Sequence, residues 1–175
     1  VILVYASAFH PENASFDARW YHLGMAEQYA AQGAVRRFPE GWYIGAYPQL
    51  ATYIYTWAFL LPRSLLFDKV ALAAHLELSF LPWTLLGVSA LVDRLIPRVR
   101  PRMAWAAFFL FPGLFLYDSS FACGADHVAA FWAPLIFIAL LRALRAATPR
   151  ALALVAAFVA GAATTKYTAA SLVVF

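Results

Sequence analysis

The sequence predicts an all-α fold: a polytopic bundle of transmembrane helices, with one interfacial amphipathic helix in the first extracytoplasmic loop. Composition is the first reason, because 64% of the 175 residues are hydrophobic, 13% are charged and the mean hydropathy is +0.70. A soluble domain of this length needs far less apolar sequence to build its core. The second reason is arrangement, since apolar blocks alternate with short charged loops, and an acidic, aromatic segment at residues 13–33 separates two of the blocks.

The distribution of charge argues against a nucleic-acid-binding protein. The net charge is +4, but seven of the 13 basic residues occupy two short loops, residues 94–102 and 142–150. Such grouping is typical of loops that orient a membrane protein. The single cysteine, Cys123, has neither a disulfide partner nor the Cys or His spacing of a zinc site. We therefore interpret it as a small buried hydrophobic residue.

Both ends of the chain look like cuts through apolar helices. Residues 1–9 are too short to span a hydrocarbon core of about 30 Å, which takes about 20 residues, so they are predicted to be the tail of a preceding span. The C-terminal residues lie inside another apolar run, and no secretory signal peptide is visible. We expect residues 1–175 to be part of one transmembrane domain, truncated at both ends.

Residues 13–33 are predicted to form a helix that lies at the membrane surface. Asn13 or Ser15 is a suitable N-cap, Asp17 falls in the first turn, where the helix dipole favours a carboxylate, and Gly33 ends the helix. Residues at i, i+4 and i+7 form the face expected to lie along the bilayer, namely Phe16, Trp20 and Leu23. A neighbouring stripe can face a cleft, namely Asp17, Tyr21 and Gly24.

Residues 47–61 decide on which side of the membrane Asp17 lies. This stretch is 15 residues long and rich in Tyr and Trp, which favour the headgroup region. We therefore predict an interfacial or re-entrant helix, which puts Asp17 outside. If the stretch crosses the membrane instead, Asp17 is cytoplasmic.

Four later stretches are predicted spans: residues 70–92, 101–117, 127–141 and 151 towards the C-terminus. Two spans separate the Arg-rich loops, so the positive-inside rule places both loops in the cytoplasm. The intervening loop carries Asp118 and Asp126 and no Lys or Arg, and must then face outward. The last span brings Lys166 towards the outer half of the membrane.

One outer surface thus collects several polar side chains from three parts of the chain: Asp17, Asp118, Asp126, His127 and Lys166. Carboxylates near lipid are costly, so their convergence indicates a site. A carboxylate beside a cleft can act as general base on an acceptor hydroxyl or amine, and an ammonium group can neutralise a phosphate leaving group. That pairing favours transfer from a lipid phosphate.

Each of these residues also has a structural interpretation. Asp17 and Asp126 can cap helices, Asp118 can be a solvated loop residue, and Lys166 can extend its ammonium to the membrane surface. His10 and His127 could bind a metal, although no H-x-x-x-H pairing supports it. His75 and Glu77 are two residues apart, so they do not share a helix face, and we interpret them as packing or pathway residues.

The order of these features resembles the GT-C-type membrane glycosyltransferases. The resemblance is closest to bacterial relatives of the dolichyl-phosphate-mannose protein mannosyltransferases and of the lipid A aminoarabinose transferases. It is carried by an acid in a first outer loop, an amphipathic helix, "YPQLATYIY", an Arg-rich inner loop, "LFPGLFLYDSSFACGAD" and a glycine-containing span that ends in "GAATTKYT". The similarity covers almost all of the chain, which would be the N-terminal half or so of such an enzyme.

The resemblance implies roles for individual residues. Asp17 would be the catalytic base, Asp126 the acid of the second outer loop that positions or tunes the catalytic site, and Lys166 the cation near the donor phosphate. Relatives often carry a second acid after the first, where this chain has Ala18 and Arg19, and often a lysine where it reads "GAYPQ". These differences weaken a metal-binding proposal and leave Arg19 beside Lys166 as a phosphate contact. Two further residues complete the predicted substrate set, Tyr21 and His127.

The resulting prediction is an inverting membrane glycosyltransferase of the plasma (inner) membrane, whose active site faces the periplasm or exterior. Its partners would be a polyprenyl-phosphate-linked sugar donor, the lipid bilayer and a lipid, glycan or protein acceptor, with no nucleic acid. No cofactor is expected, and a divalent cation is unsupported. The alternative is a transporter or flippase with a polar pathway lined by Glu77, Asp126 and Lys166. A non-catalytic membrane scaffold would account for the amphipathic helix but not for Lys166.

Overall fold

A computed structural model describes residues 14–36, 47–62, 68–96 and 123–169, together with Ala6, Phe38 and Gly45. Within these residues the chain is helical between its connecting segments, and none of them forms a strand, as the all-α prediction requires. A π-helical turn, Ala18–His22, precedes six α-helices: α1 Leu23–Gln32, α2 Leu50–Leu60, α3 Lys69–Leu78, α4 Phe80–Leu95, α5 Asp126–Arg145 and α6 Pro149–Thr165. The predicted span at residues 101–117 lies outside the described residues, as do His10, Asn13 and Asp118.

Two helices in the described part of the chain are long and apolar enough to cross a membrane. Helices α3 and α4 follow each other with only a turn at Ser79 and form a 27-residue apolar unit, Lys69–Leu95. Helix α5 is 20 residues long, which corresponds to about 30 Å at 1.5 Å per residue. The predicted spans at residues 70–92 and 127–141 are therefore confirmed as helices of suitable length and composition.

Helix α6 differs from its prediction at its C-terminal end. It begins with Thr148, whose hydroxyl accepts a hydrogen bond from the Ala151 N–H, and with Pro149 in the first turn, as is common at helix starts. It ends at Thr165, and Lys166 has an extended backbone. Lys166 therefore lies after the end of α6 and not within the helix predicted from residue 151 onwards.

The first helical segment begins and ends where the sequence predicts. The Ser15 hydroxyl accepts a hydrogen bond from the Ala18 N–H at 3.2 Å, which is N-cap geometry, and Gly33 adopts the left-handed conformation (φ 64°) that ends many helices. The predicted apolar face is only partly correct. Phe16 and Trp20 are exposed and pack ring against ring, but Leu23 is 9% exposed and belongs to the core. A π-helical turn holds more residues than an α turn, so it rotates Leu23 away from that face.

Helix α2 has the short length predicted for the 47–61 stretch. Its 11 residues correspond to about 16 Å, roughly half of a hydrocarbon core. Tyr53 and Trp57 are exposed on one side, whereas Tyr55 is fully buried on the other. One face of α2 thus joins the core, and the other presents aromatic rings to the surroundings.

Contacts along α5 fix the directions of its neighbours. Glu77 meets His127, the ring of Phe80 meets that of Phe131, and a Cβ on Gly87 would lie 2.9 Å from Pro134. From pair to pair the residue number increases in both helices, so the α3–α4 unit runs parallel to α5. Parallel neighbours need a long connection, and residues 96–125 supply one. Helix α6 runs antiparallel to α5, because Trp132 contacts Gly161 and Asp126 contacts Lys166.

These directions separate the charges along the bundle. The N-terminal end of α5 lies with the C-terminal end of α6 and carries Asp126 and Lys166. The opposite end carries arginines from three helix termini: Arg94, Arg142, Arg145 and Arg150. Arg94 of the first predicted Arg-rich loop thus lies at the same end as the second loop, and residues 97–102 of the first loop lie outside the described residues.

The core beneath the Asp126 end is built largely from small residues. It joins the π-helical turn, α2, α3 and the start of α5, and its alanines include Ala18, Ala51, Ala58, Ala73, Ala74 and Ala125. Small side chains let helix backbones approach closely. The first helical segment is consequently packed near the start of α5, although more than 100 residues separate them in sequence.

Candidate functional site

The central feature of the site is an ion pair between the start of α5 and the end of α6. Lys166 Nζ donates to Asp126 Oδ1 at 2.6 Å. Lys166 is 23% exposed and Asp126 37%, so both groups remain within reach of a ligand. Partial exposure also keeps the attraction between them modest, so a stronger anion can compete for the ammonium.

A second acidic group, Asp17, comes from the first helical segment. Tyr21 Oη donates to Asp17 Oδ2 at 3.4 Å, so the first two residues of the predicted Asp17, Tyr21 and Gly24 stripe are in contact. Burial raises the pKa of Tyr21, and the negative charge of Asp17 and its hydrogen bond raise it further. Tyr21 therefore remains a protonated donor throughout the physiological range.

Electrostatic and packing contacts bring these two pairs together. The charges of Asp126 and Tyr167 also raise the pKa of Tyr21, to a smaller extent than its burial and Asp17. A Cβ placed on Gly124 would lie 3.5 Å from Ser15 Oγ and 3.9 Å from Asp126 Oδ2. The start of the first helical segment therefore faces the start of α5, and four of the predicted site residues share one end of the bundle: Asp17, Tyr21, Asp126 and Lys166.

A buried hydrogen-bonded chain lies directly beneath this surface. His22 Nδ1 is 2.8 Å from Thr52 Oγ1, and Thr52 donates in turn to Gln49 Oε1 at 2.6 Å. Burial lowers the pKa of His22 to about 4, Lys166 lowers it as well, and Asp126 opposes the shift. His22 is thus neutral at pH 7 and lies within electrostatic range of the Asp126–Lys166 pair.

The remaining predicted residues occupy different environments. Arg19 is exposed on the π-helical turn, two residues from Asp17. His127 is 4% exposed, and its Nδ1 lies 2.7 Å from Glu77 Oε1, so it faces the interior of the bundle rather than the Asp126–Lys166 surface. His75 Nδ1 instead bonds to the Ala71 carbonyl within its own helix, in keeping with the expectation that His75 and Glu77 point apart. Cys123 is buried, as predicted.

Several residues near the site were not identified from the sequence. Tyr55 is fully buried, and its hydroxyl donates to the Gly124 carbonyl. Tyr167 follows Lys166 and is 64% exposed, and the centroid of its ring lies 6.0 Å from the centroid of the Tyr47 ring. His22, Thr52 and Gln49 are the members of the buried chain. Polar residues within aromatic or apolar segments were the available signal, but apart from the Gln49–Thr52 contact their partners lie 30 to 120 residues away in the sequence.

The assembled site combines two carboxylates, one ammonium and a tyrosine hydroxyl. Such groups can accept a proton from a hydroxyl and can balance the charge of a phosphate. Among the described residues, no three His, Cys, Asp or Glu side chains are grouped so that they could hold a metal ion. The chain matches no protein-family model, no curated protein and no solved structure.

Proposed function

We propose that this chain is part of a multi-pass membrane glycosyltransferase that moves a sugar from a polyprenyl-phosphate-linked donor to a lipid, glycan or protein acceptor. The observation that carries the proposal is the Asp126–Lys166 pair lying beside the Asp17–Tyr21 pair. Both occur at the end of apolar helices opposite the arginines. A membrane-embedded donor would present its phosphate at this level, near the surface of the lipid.

Lys166 is assigned to the donor phosphate. Its ammonium lies at the end of α6, is partly exposed and has a carboxylate partner that a phosphate oxygen can replace. Asp126 holds the ammonium in position before the donor binds. Arg19, exposed on the neighbouring π-helical turn, provides a second cation for the phosphate. The developing charge on the leaving phosphate is then stabilised by groups already in place.

Asp17 is assigned as the general base. The acceptor oxygen attacks the anomeric carbon while its proton passes to the Asp17 carboxylate. The bond between that carbon and the phosphate oxygen breaks on the opposite side, and its electron pair leaves with the polyprenyl phosphate. Attack opposite the leaving group inverts the configuration at the anomeric carbon. The Tyr21 hydroxyl, which donates to Asp17, orients the carboxylate.

The membrane arrangement follows from the charges. With the arginines of α4, α5 and α6 at the cytoplasmic surface, the end that carries Asp126 and Lys166 is extracytoplasmic. Helix α2 then lies in the interface, with Tyr53 and Trp57 among the lipid headgroups. In a bacterium this is the inner membrane, with the site open to the periplasm.

The test is release of polyprenyl phosphate from a labelled donor by the full-length protein in proteoliposomes. We expect Asp17→Asn to lower the rate by about 10²- to 10⁴-fold, since the carboxamide has a similar shape but cannot accept the proton. Asp93→Asn is the matched control, because Asp93 is an exposed acid at the opposite end of the bundle. Near-normal release by Asp17→Asn would remove Asp17 from the mechanism. No release by the wild-type protein from any polyprenyl-phosphate sugar would overturn the proposal.

A second candidate, a transporter or flippase, is favoured by the Glu77–His127 pair. This polar pair is buried between apolar helices, a setting in which ionisable residues often line a pathway. Proteoliposomes distinguish the two functions. A transporter moves a solute or lipid across the bilayer without releasing polyprenyl phosphate.

A further inference from the structure

We propose that Glu77 and Tyr55 are positioning residues that hold the backbone around Asp126, so that its carboxylate is aimed at Lys166. The inference rests on the proposed function to the extent that the Asp126–Lys166 pair receives the donor phosphate. Glu77 and Tyr55 both act on residues 123–127, which contain Asp126.

Glu77 makes hydrogen bonds to residues on both sides of Asp126 in the sequence. Its Oε2 accepts a hydrogen bond from the Cys123 N–H at 2.8 Å, and its Oε1 lies 2.7 Å from His127 Nδ1. The Glu77 side chain is fully buried in a largely apolar helix. A carboxylate is expensive to bury, and hydrogen bonds to charged groups are stronger than those between neutral groups. One buried carboxylate therefore ties α3 to the residues before and after Asp126.

Tyr55 holds the same segment from α2. Its hydroxyl donates to the Gly124 carbonyl, between the two positions that Glu77 contacts. Cys123 has φ 58°, a left-handed conformation that is unfavourable for a non-glycine residue. Such a backbone conformation persists only where its surroundings fix it. Glu77 and Tyr55 supply those fixed points from two different helices.

This arrangement determines the direction of the Asp126 side chain. Helix α5 begins at Asp126 without a side-chain cap, so no local hydrogen bond of this kind fixes the first turn. The 2.6 Å approach of Asp126 to Lys166 then depends on where the preceding backbone is held. If the segment is released, the carboxylate moves relative to the end of α6 and the ion pair is populated less often.

The first experiment measures the ion pair without any enzymatic assay. A zero-length carbodiimide, applied to the full-length protein in its membrane, forms an amide only between a carboxylate and an amine in contact. Mass spectrometry gives the yield of the crosslink between residues 126 and 166. We expect Glu77→Gln to lower this yield about tenfold, the size expected from losing a hydrogen bond to a charged group. Tyr55→Phe should lower it by a smaller factor, because it removes a single hydroxyl.

Two controls accompany these variants. Asp126→Asn removes the reacting carboxylate and sets the background yield. Thr84→Val changes another buried polar residue of the same apolar unit, whose hydroxyl bonds only within its own helix to the Phe80 carbonyl, and should match the wild type. Wild-type yields in both Glu77→Gln and Tyr55→Phe would overturn the proposal. Tyr55→Phe keeps the test decisive if Glu77→Gln fails to fold, since it retains the buried ring.

The second experiment separates positioning from general destabilisation. Release of polyprenyl phosphate is measured for Glu77→Gln alone and combined with Asp126→Asn. A positioning residue that acts through Asp126 lowers the rate about tenfold in the wild-type background and has little further effect once Asp126 is gone. Equal losses in both backgrounds would overturn it. If the wild-type protein releases no polyprenyl phosphate, the proposed function fails, and the crosslink yields still decide the role of Glu77 and Tyr55.

Discussion

At the scale of single residues, His22 shows how one hydrogen-bonded chain defines a protonation state. Thr52 donates its hydroxyl hydrogen to Gln49 Oε1, so its oxygen must accept from His22 Nδ1. That requirement fixes the neutral tautomer with the hydrogen on Nδ1. Burial is the largest cause of the low pKa of His22, about 4, and the nearby Lys166 ammonium adds to it.

The pKa of His22 predicts a loss of stability in mild acid. The unfolded chain binds the proton near pH 6.5, whereas the folded chain binds it only near pH 4. Between these values the unfolded state holds more protons, so the free energy of unfolding should fall by roughly 3 kcal/mol as the pH drops from 6.5 to 4. The measurement is the midpoint of chemical unfolding in detergent at several pH values.

The control for this pH dependence is His22→Asn. Its amide nitrogen can still donate to Thr52, but it does not titrate. We expect this variant to be less stable at pH 7 and to lose much of the slope between pH 6.5 and pH 4. An unchanged slope would show that another group causes the acid sensitivity.

At the scale of the helices, local signals are predictable from sequence and long-range partners are not. The cap at Ser15, the stop at Gly33 and the Asp17–Tyr21 contact all follow from residues within four positions of one another. The prediction that Leu23 lies on the same face as Phe16 and Trp20 was wrong, because a π-helical turn leaves no clear sequence signal. The Glu77–His127 contact joins residues 50 apart, so no periodicity reveals it. Lys166 was placed inside a span because apolar residues precede and follow the short polar segment TTKYT, although the helix ends before it.

The packing of α5 on α6 depends on a glycine. A Cβ on Gly161 would lie 2.6 to 2.9 Å from three atoms of the Trp132 ring, and that ring is also held by its hydrogen bond to Thr165 at 3.0 Å. Gly161→Ala should therefore destabilise the protein by a net 1–2 kcal/mol or so, since overpacking outweighs the gain in helix propensity. Thermal unfolding in detergent measures the change.

Gly24→Ala provides the matched comparison within α1. Nothing lies within 4 Å of the position that its Cβ would occupy. The same substitution should there be neutral or stabilising by about 0.5–1 kcal/mol, because only helix propensity changes. Equal destabilisation by both variants would show that the Gly161–Trp132 contact does not hold the two helices together.

At the scale of the whole molecule, the directions of the helices give the charge pattern a physical meaning. The α3–α4 unit and α5 run parallel, and α6 returns antiparallel, so the acidic end and the arginine-rich end are about 30 Å apart along α5. A hydrocarbon core has about the same thickness. The acidic end and the arginine-rich end can therefore lie at opposite surfaces of one membrane. The proposed site needs this arrangement, because Asp17, Asp126 and Lys166 must all lie on the surface opposite the arginines.

Accessibility to a membrane-impermeant thiol reagent tests that arrangement on intact cells. The background is the full-length Cys123→Ala protein, and single cysteines replace Arg19 on the π-helical turn, Tyr167 after α6 and Leu144 near the end of α5. All three positions are exposed, Tyr167 at 64% and Leu144 at 83%. We expect Arg19→Cys and Tyr167→Cys to react in intact cells, because both lie at the Asp126 end. Leu144→Cys should react only after permeabilisation, because the arginines beside it favour the cytoplasm.

Reaction of Arg19→Cys from one side and of Tyr167→Cys from the other would put Asp17 and Lys166 in different compartments. No donor phosphate could then reach both, and the transporter would become the better account of the buried Glu77–His127 pair.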